Sequence, residues 1–168
     1  RERGVLFDVG HGGGSFSFDT AKRALAQDFT ADVISTDLHS SSLEDPVMSL
    51  PETASKLLNL GVPLVGVVRQ CTTGPAESIQ RADELGTLRP GSVADLAAFE
   101  LQEGGQFEFR DVHDQLMVGP KKLSPVLTIR AGTIYDPDAL AGEREADRQR
   151  ALRMKALSRG DIETFLKG

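Results

Sequence analysis

Asp37 and His11 are the side chains of this 168-residue sequence best placed to do chemistry. Each follows a short apolar run: Gly4 to Val9 leads into Gly10-His11-Gly12-Gly13-Gly14, and Asp32 to Thr36 leads into Asp37. A carboxylate there can bind a metal ion or take a proton from water, and an imidazole can contact a substrate or sit beside a metal. Plainer roles stand alongside. An Asp after a strand also caps helices and closes turns, and a loop histidine serves equally well as a hydrogen-bonded spacer. Consecutive glycines let the backbone approach a ligand closely, which makes Gly10 and Gly12 candidate substrate-binding positions together with His11. The loop has neither the lysine of a phosphate-binding loop nor the spacing of a dinucleotide fingerprint. His11-Gly12-Gly13-Gly14 matches an esterase oxyanion loop, but the Gly-x-Ser-x-Gly elbow it needs is absent from the sequence. Cys71, in line with Val67 and Val68, reads as packing, while His39 and His113 read as solvated loop histidines.

These side chains need a scaffold. Both apolar runs resemble buried strands of a parallel sheet. Between them Ala21, Ala24 and Leu25 recur at helical spacing over Asp19 to Gln27, with Asp19 as cap. Strand, helix and strand in so short a span predict a right-handed crossover joining parallel neighbours. His11 and Asp37 then share one sheet edge, the end where barrels of this kind mount catalytic groups. A polar mouth loop with Asp45-Pro46 follows. Ser49 and Glu52 form a capping box for a helix carrying Ala54, Leu57 and Leu58 and ending at Gly61. A second helix starts at Pro63 and is broken by Thr72 to Pro75. Val93 to Leu101, Gln106 to Arg110, Gln115 to Val118 and Val126 to Ala131 read as short strands separated by Gly and Asp turns. A charged helix is expected over Glu143 to Leu157, then a last amphipathic turn.

Bulk properties remove some functions. A net charge of -6 and pI of about 5.1, with Lys and Arg scattered, argue against nucleic acid or an anionic membrane as partner. Cys71 is the only cysteine, so a reducing compartment is expected, and with no signal peptide visible that is the cytoplasm. No apolar run approaches the roughly eighteen residues of a membrane span. Arg1 in place of Met suggests a processed or partial chain.

The text from Thr72 to Glu100, Thr-Thr-Gly-Pro-Ala through Leu-Gly-Thr-Leu-Arg-Pro-Gly-Ser-Val-Ala-Asp-Leu-Ala-Ala-Phe-Glu, resembles the closing string of the amidohydrolase superfamily. There the string runs Thr-x-Asn-Pro-Ala, then Gly-x-Leu-x-Pro-Gly-x-x-Ala-Asp-Leu-x-x-Phe; here Gly74 replaces the Asn. Ile34 to Asp37 resembles the end of the last barrel strand of that superfamily. Gly4 to Gly12 resembles the preceding strand in its dihydroorotase-like deacetylase branch. The likeness spans roughly Gly4 to Gly132.

The resemblance implies an α/β fold: the C-terminal part of a (β/α)8 TIM-type barrel with its last two strands and helices over residues 1–85, a small β-sandwich domain over 86–135, and a C-terminal helical tail over 136–168. It implies metal-dependent hydrolysis of an acyl amide or ester, deacetylase-like, using one or two divalent ions, zinc foremost. Asp37 is then metal ligand and general base, and His11 a substrate contact at the mouth. A cyclic amidase of the dihydroorotase or hydantoinase kind would share that site, so the substrate is a small acyl amide, ester or cyclic amide. A catalytically silent homologue or assembly module is the reading from another class. The family's His-x-His pair is missing, and a full barrel takes about 250 residues. The resemblance therefore implies a missing N-terminal barrel portion as partner, and the mixed-charge tail suits a solvated face or a homo-oligomer contact.

Overall fold

The computed structural model describes residues 2–38 and 49–135, in an α/β arrangement. In chain order these hold α1 (Phe18–Leu25), α2 (Leu50–Asn59), α3 (Leu64–Cys71), α4 (Thr73–Ser78), β1 (Leu96–Arg110), β2 (Leu116–Arg130) and β3 (Thr133–Tyr135). The mouth loop after Leu38 and the C-terminal helix expected from sequence lie outside the described residues.

The parallel crossover forms, but the two runs expected as buried strands meet in a single bridge, and Val5, Leu6 and Phe7 of the first are exposed. Asp8 and Val33 make a parallel bridge, Asp32 N donates to Phe7 O at 2.8 Å and Val9 N to Val33 O at 3.1 Å. Helix α1 joins the two segments, but Asp19 does not cap it. Asp19 already lies within the helix, Ser17 occupies the N-cap without a side-chain bond, and the first helical N–H, that of Phe18, donates to Asp111 Oδ2 at 2.9 Å. A carboxylate 93 residues downstream does the work that local sequence would assign to a neighbour.

Helix α2 ties the molecule together. Its cap forms as predicted, Glu52 N donating to Ser49 Oγ at 3.3 Å, with Pro51 in the first turn. It is buried on more than one face, Thr53 through Leu58 all being covered, because it lies between the strand pair and the sheet. On the sheet side Leu123 N donates to Ser55 Oγ at 2.9 Å, and Asn59 exchanges bonds of 3.0 and 2.7 Å with the Lys121 N–H and carbonyl. On the other sides Leu57 and Leu58 enter a core of Phe16, Phe18, Ile34, Ala54, Val62, Val67 and Phe109. Each large apolar side chain so buried contributes about 1.5–3 kcal/mol.

Thr72 to Pro75 proves to be a kink and not the end of helical structure. Thr72 leaves the helical region, with φ -128° and ψ -85°, and α4 begins at the next residue. Pro75 falls in the first turn, where its missing N–H removes no helical bond. Gly74, the departure from the superfamily string, packs directly on backbone. A Cβ there would lie 2.6 Å from the Asp32 carbonyl oxygen, so the α3–α4 junction closes on the start of the Asp37 segment.

The short strands expected downstream are two strands of 15 residues, paired antiparallel from Leu96↔Ile129 to Arg110↔Leu116, with β3 on the far edge of β2. Gly104 and Gly105 fall in a register irregularity between Glu103 and Phe107, so they bend one strand without dividing it. Lys121 and Lys122, which fall between two of the expected short strands, pair with Glu103 and Gln102. Toward the expected small β-sandwich, the described residues supply one three-stranded sheet. No helix among them is long and apolar enough to cross a membrane.

Candidate active site

The glycine loop is strapped to the end of the second parallel segment. His11 N donates to Ser35 O at 3.4 Å and Gly12 N to Thr36 O at 2.7 Å, so the loop runs beside the residues that deliver Asp37. Asp37 is exposed and takes φ +48°, a left-handed conformation that Asp tolerates better than most side chains. Gly12, at φ +44°, is buried against it. A Cβ on Gly12 would meet Asp37 Oδ2 at 2.8 Å, which is closer than any side chain can come without moving that carboxylate. Gly10 sits lower, near the pair formed by Ser35 Oγ donating to Asp8 Oδ2 at 2.5 Å.

His11 lies behind this rim with no exposed surface. Its Nδ1 is 2.9 Å from Gly12 O. A carbonyl only accepts, so Nδ1 carries the proton and Nε2 of the neutral ring is the acceptor. Lys56 Nζ, itself fully buried on α2, lies 2.9 Å from Nε2 and 3.2 Å from Glu52 Oε1. The ring stacks on Phe16 with centroids 4.7 Å apart. Burial lowers the His11 pKa, and the Lys56 charge adds to this against the opposing pull of Gly12 O and Glu52. Burial likewise lowers the Lys56 pKa, while Glu52 and Asp111 oppose the shift. The imidazole expected at the mouth therefore sits inside the protein and reaches the rim through the Gly12 backbone.

The other candidates fall elsewhere. Burial pushes the Cys71 thiol up to about 11, and the side chain packs against the core. His113 is exposed in the β1–β2 turn, its N–H donating to Asp111 Oδ1. His39 lies outside the described residues. Among the described residues, no group of three or more His, Cys, Asp or Glu side chains could hold a metal ion. A zinc site uses roughly three or four protein donors, so these residues do not make up a complete centre. A hollow of about 540 Å³ lined by Val5, Ala31, Asp32 and Gln70 opens at the opposite end of the strand pair, away from Asp37.

Two residues of this region were not legible as site components. Lys56 stands four residues after Glu52, the spacing of an ordinary solvated helix pair, and nothing local marks it as buried. Asp111 binds three backbone N–H groups, of Phe18, His113 and Gln115, the first of them remote in sequence.

A glycine loop and an exposed aspartate sharing the C-terminal edge of two parallel segments, with helices behind them, define an α/β chain consistent with part of a TIM-barrel-type enzyme. The chain belongs to the amidohydrolase family, whose model matches residues 18–135. It is 36% identical over 135 residues to a deacetylase of Enterococcus faecalis, covering 80% of this chain and 36% of that protein. Two crystal structures superpose well: an adenine deaminase (TM-score 0.75, 35% identity) and a dihydroorotase (TM-score 0.71, 32% identity). Each match covers 80% of this chain and 36% of the other, so the chain spans about a third of the length of these relatives.

Proposed function

We propose that this chain carries the Asp37 side of a metal-dependent hydrolase site acting on a small acyl amide or ester, a deacetylase-like reaction. The observation that carries the reading is the strapping of Gly12 against an exposed Asp37 at the C-terminal edge of the strand pair. Asp37 is the metal ligand and general base: it takes the proton of the attacking water and returns it to the leaving group, which one carboxylate can do if held within reach of both. The backbone at Gly10 and Gly12 borders the substrate, with His11 behind it. The cofactor is a divalent metal, zinc foremost, whose other donors come from outside the described residues.

The remaining barrel is the natural partner. Val5 and Leu6 are 53% and 57% exposed on a segment whose kind is covered on both faces in a parallel barrel. An N-terminal barrel portion would cover them, with residues 1–85 closing the barrel and 86–135 contributing to the second domain. A cyclic amidase is the second reading, favoured by the likeness to a dihydroorotase.

The test uses the full-length protein loaded with zinc. Hydrolysis of N-acyl amino acids or esters, lost in Asp37→Asn with folding intact, is the expected result. Hydrolysis of cyclic ureides alone would select the second reading. Near-normal turnover in Asp37→Asn would remove Asp37 from its role, and no turnover by any metal-loaded preparation would favour a catalytically silent module.

A further inference from the structure

We infer that Lys56 is a positioning residue for Asp37, acting through His11 and Gly12. The inference rests on the Asp37 reading above and deepens it. Three hydrogen-bond contacts and one close approach connect the two side chains. Lys56 Nζ meets His11 Nε2 at 2.9 Å, and His11 Nδ1 meets Gly12 O at 2.9 Å. Gly12 N meets Thr36 O at 2.7 Å, and Asp37 lies so close to Gly12 that a Cβ added there would fall 2.8 Å from Asp37 Oδ2. Moving any one of these shifts the wall against which the carboxylate rests.

A solvated lysine would serve α2 at no desolvation cost, and a leucine or methionine of similar volume would fill the same space without a polar atom. Lys56 instead sits wholly buried, with Glu52 beside it and its amine directed at one imidazole nitrogen. A donor at Nε2 permits a single neutral tautomer, with the proton on Nδ1, and that proton holds the Gly12 carbonyl. Remove the donor and the buried ring can take the other tautomer, whose Nδ1 would repel the Gly12 carbonyl oxygen. The loop would then lean away from Thr36, and Asp37 would lose its wall.

Two measurements on the full-length protein test this. The ring ¹⁵N shifts of His11, read by long-range NMR correlation, should report a protonated Nδ1 and an accepting Nε2. A ring protonated at Nε2 would overturn the inference without any variant. In Lys56→Met, kcat should fall about 10- to 100-fold, the range for losing such a supporting contact, while KM and bound metal stay within about twofold. The same substitution made in Asp37→Asn should cost nothing further. A folded Lys56→Met with wild-type kcat overturns the role of Lys56 alone, whereas wild-type turnover in Asp37→Asn overturns the Asp37 reading whatever Lys56 does. Should Lys56→Met fail to fold, the His11 ring shifts of the unmodified protein carry the test.

Discussion

Asp37 and Asp111 both follow the end of a β segment, and the molecule uses them in opposite ways. Asp111 is 1% exposed and accepts three backbone N–H groups, tying the β1–β2 turn to the start of α1. Asp37 is exposed, stands on left-handed backbone and rests against a glycine. One carboxylate spends its lone pairs holding the fold, and the other stays exposed, with one oxygen close against Gly12. The contrast teaches that position at a strand end decides nothing by itself; what surrounds the carboxylate decides whether it caps or reacts.

The sharpest way to break this contrast is to neutralise each carboxylate. Asp37→Asn should lower turnover of the full-length protein by about a thousandfold, within the range general acid–base groups supply, while its thermal midpoint hardly moves. Asp111→Ala should do the reverse. Three buried donors lose their acceptor, so stability should fall by about 3 kcal/mol in urea unfolding, with turnover per folded molecule unchanged. A large kinetic effect at Asp111 would erase the distinction.

Acid adds a second measurement. Burial alone would raise the Asp111 pKa, but its three N–H donors and the nearby His113 outweigh this and hold the carboxyl below the ordinary range. A depressed folded-state pKa means that the stabilisation is complete above the unfolded value, about 3.9, and disappears as pH falls through the folded value. Urea midpoints should therefore fall below about pH 4 in the wild type, and less steeply in Asp111→Asn.

Replacing Gly12 probes the Asp37 side more finely. The added Cβ in Gly12→Ala meets the tip of the Asp37 side chain and not the backbone, so the carboxylate swings aside before the fold gives way. Turnover should drop about tenfold, since sub-ångström misplacement of a reacting group already costs rate. The positive φ adds a penalty of about 1 kcal/mol in thermal unfolding. Equal losses in rate and stability for Asp37→Asn and Gly12→Ala would argue that the rim is a structural turn.

Much of this was readable from local patterns. Val33-Ile34 after a helical stretch announces the crossover, and Ser49 with Glu52 announces the start of α2. What escaped depends on distance in sequence. The true partner of the α1 N-terminus is Asp111, and its contact exists only once the hairpin docks. Lys121 and Lys122 fall in the gap between two expected strands, and their pairing with Glu103 and Gln102 lies across the hairpin. The burial of Lys56 comes from having the strand pair on one side of α2 and the sheet on the other, which a helical pattern cannot express.

Ser49 supplies the smallest and most discriminating test of the comparison. Its hydroxyl accepts one N–H, that of Glu52, as Asp111 accepts three, and it does so at the head of the helix that carries Lys56. Removing it in Ser49→Ala should cost about 1 kcal/mol, the usual worth of a cap, and lower the urea midpoint accordingly. If capping and chemistry are separate in this molecule, kcat should stay within about twofold of wild type, because fraying at the first turn leaves the buried Lys56–His11 contact in place. A kcat loss comparable to that of Gly12→Ala would mean that the helix start is mechanically coupled to the Asp37 rim, and the two kinds of carboxylate would then differ in degree only.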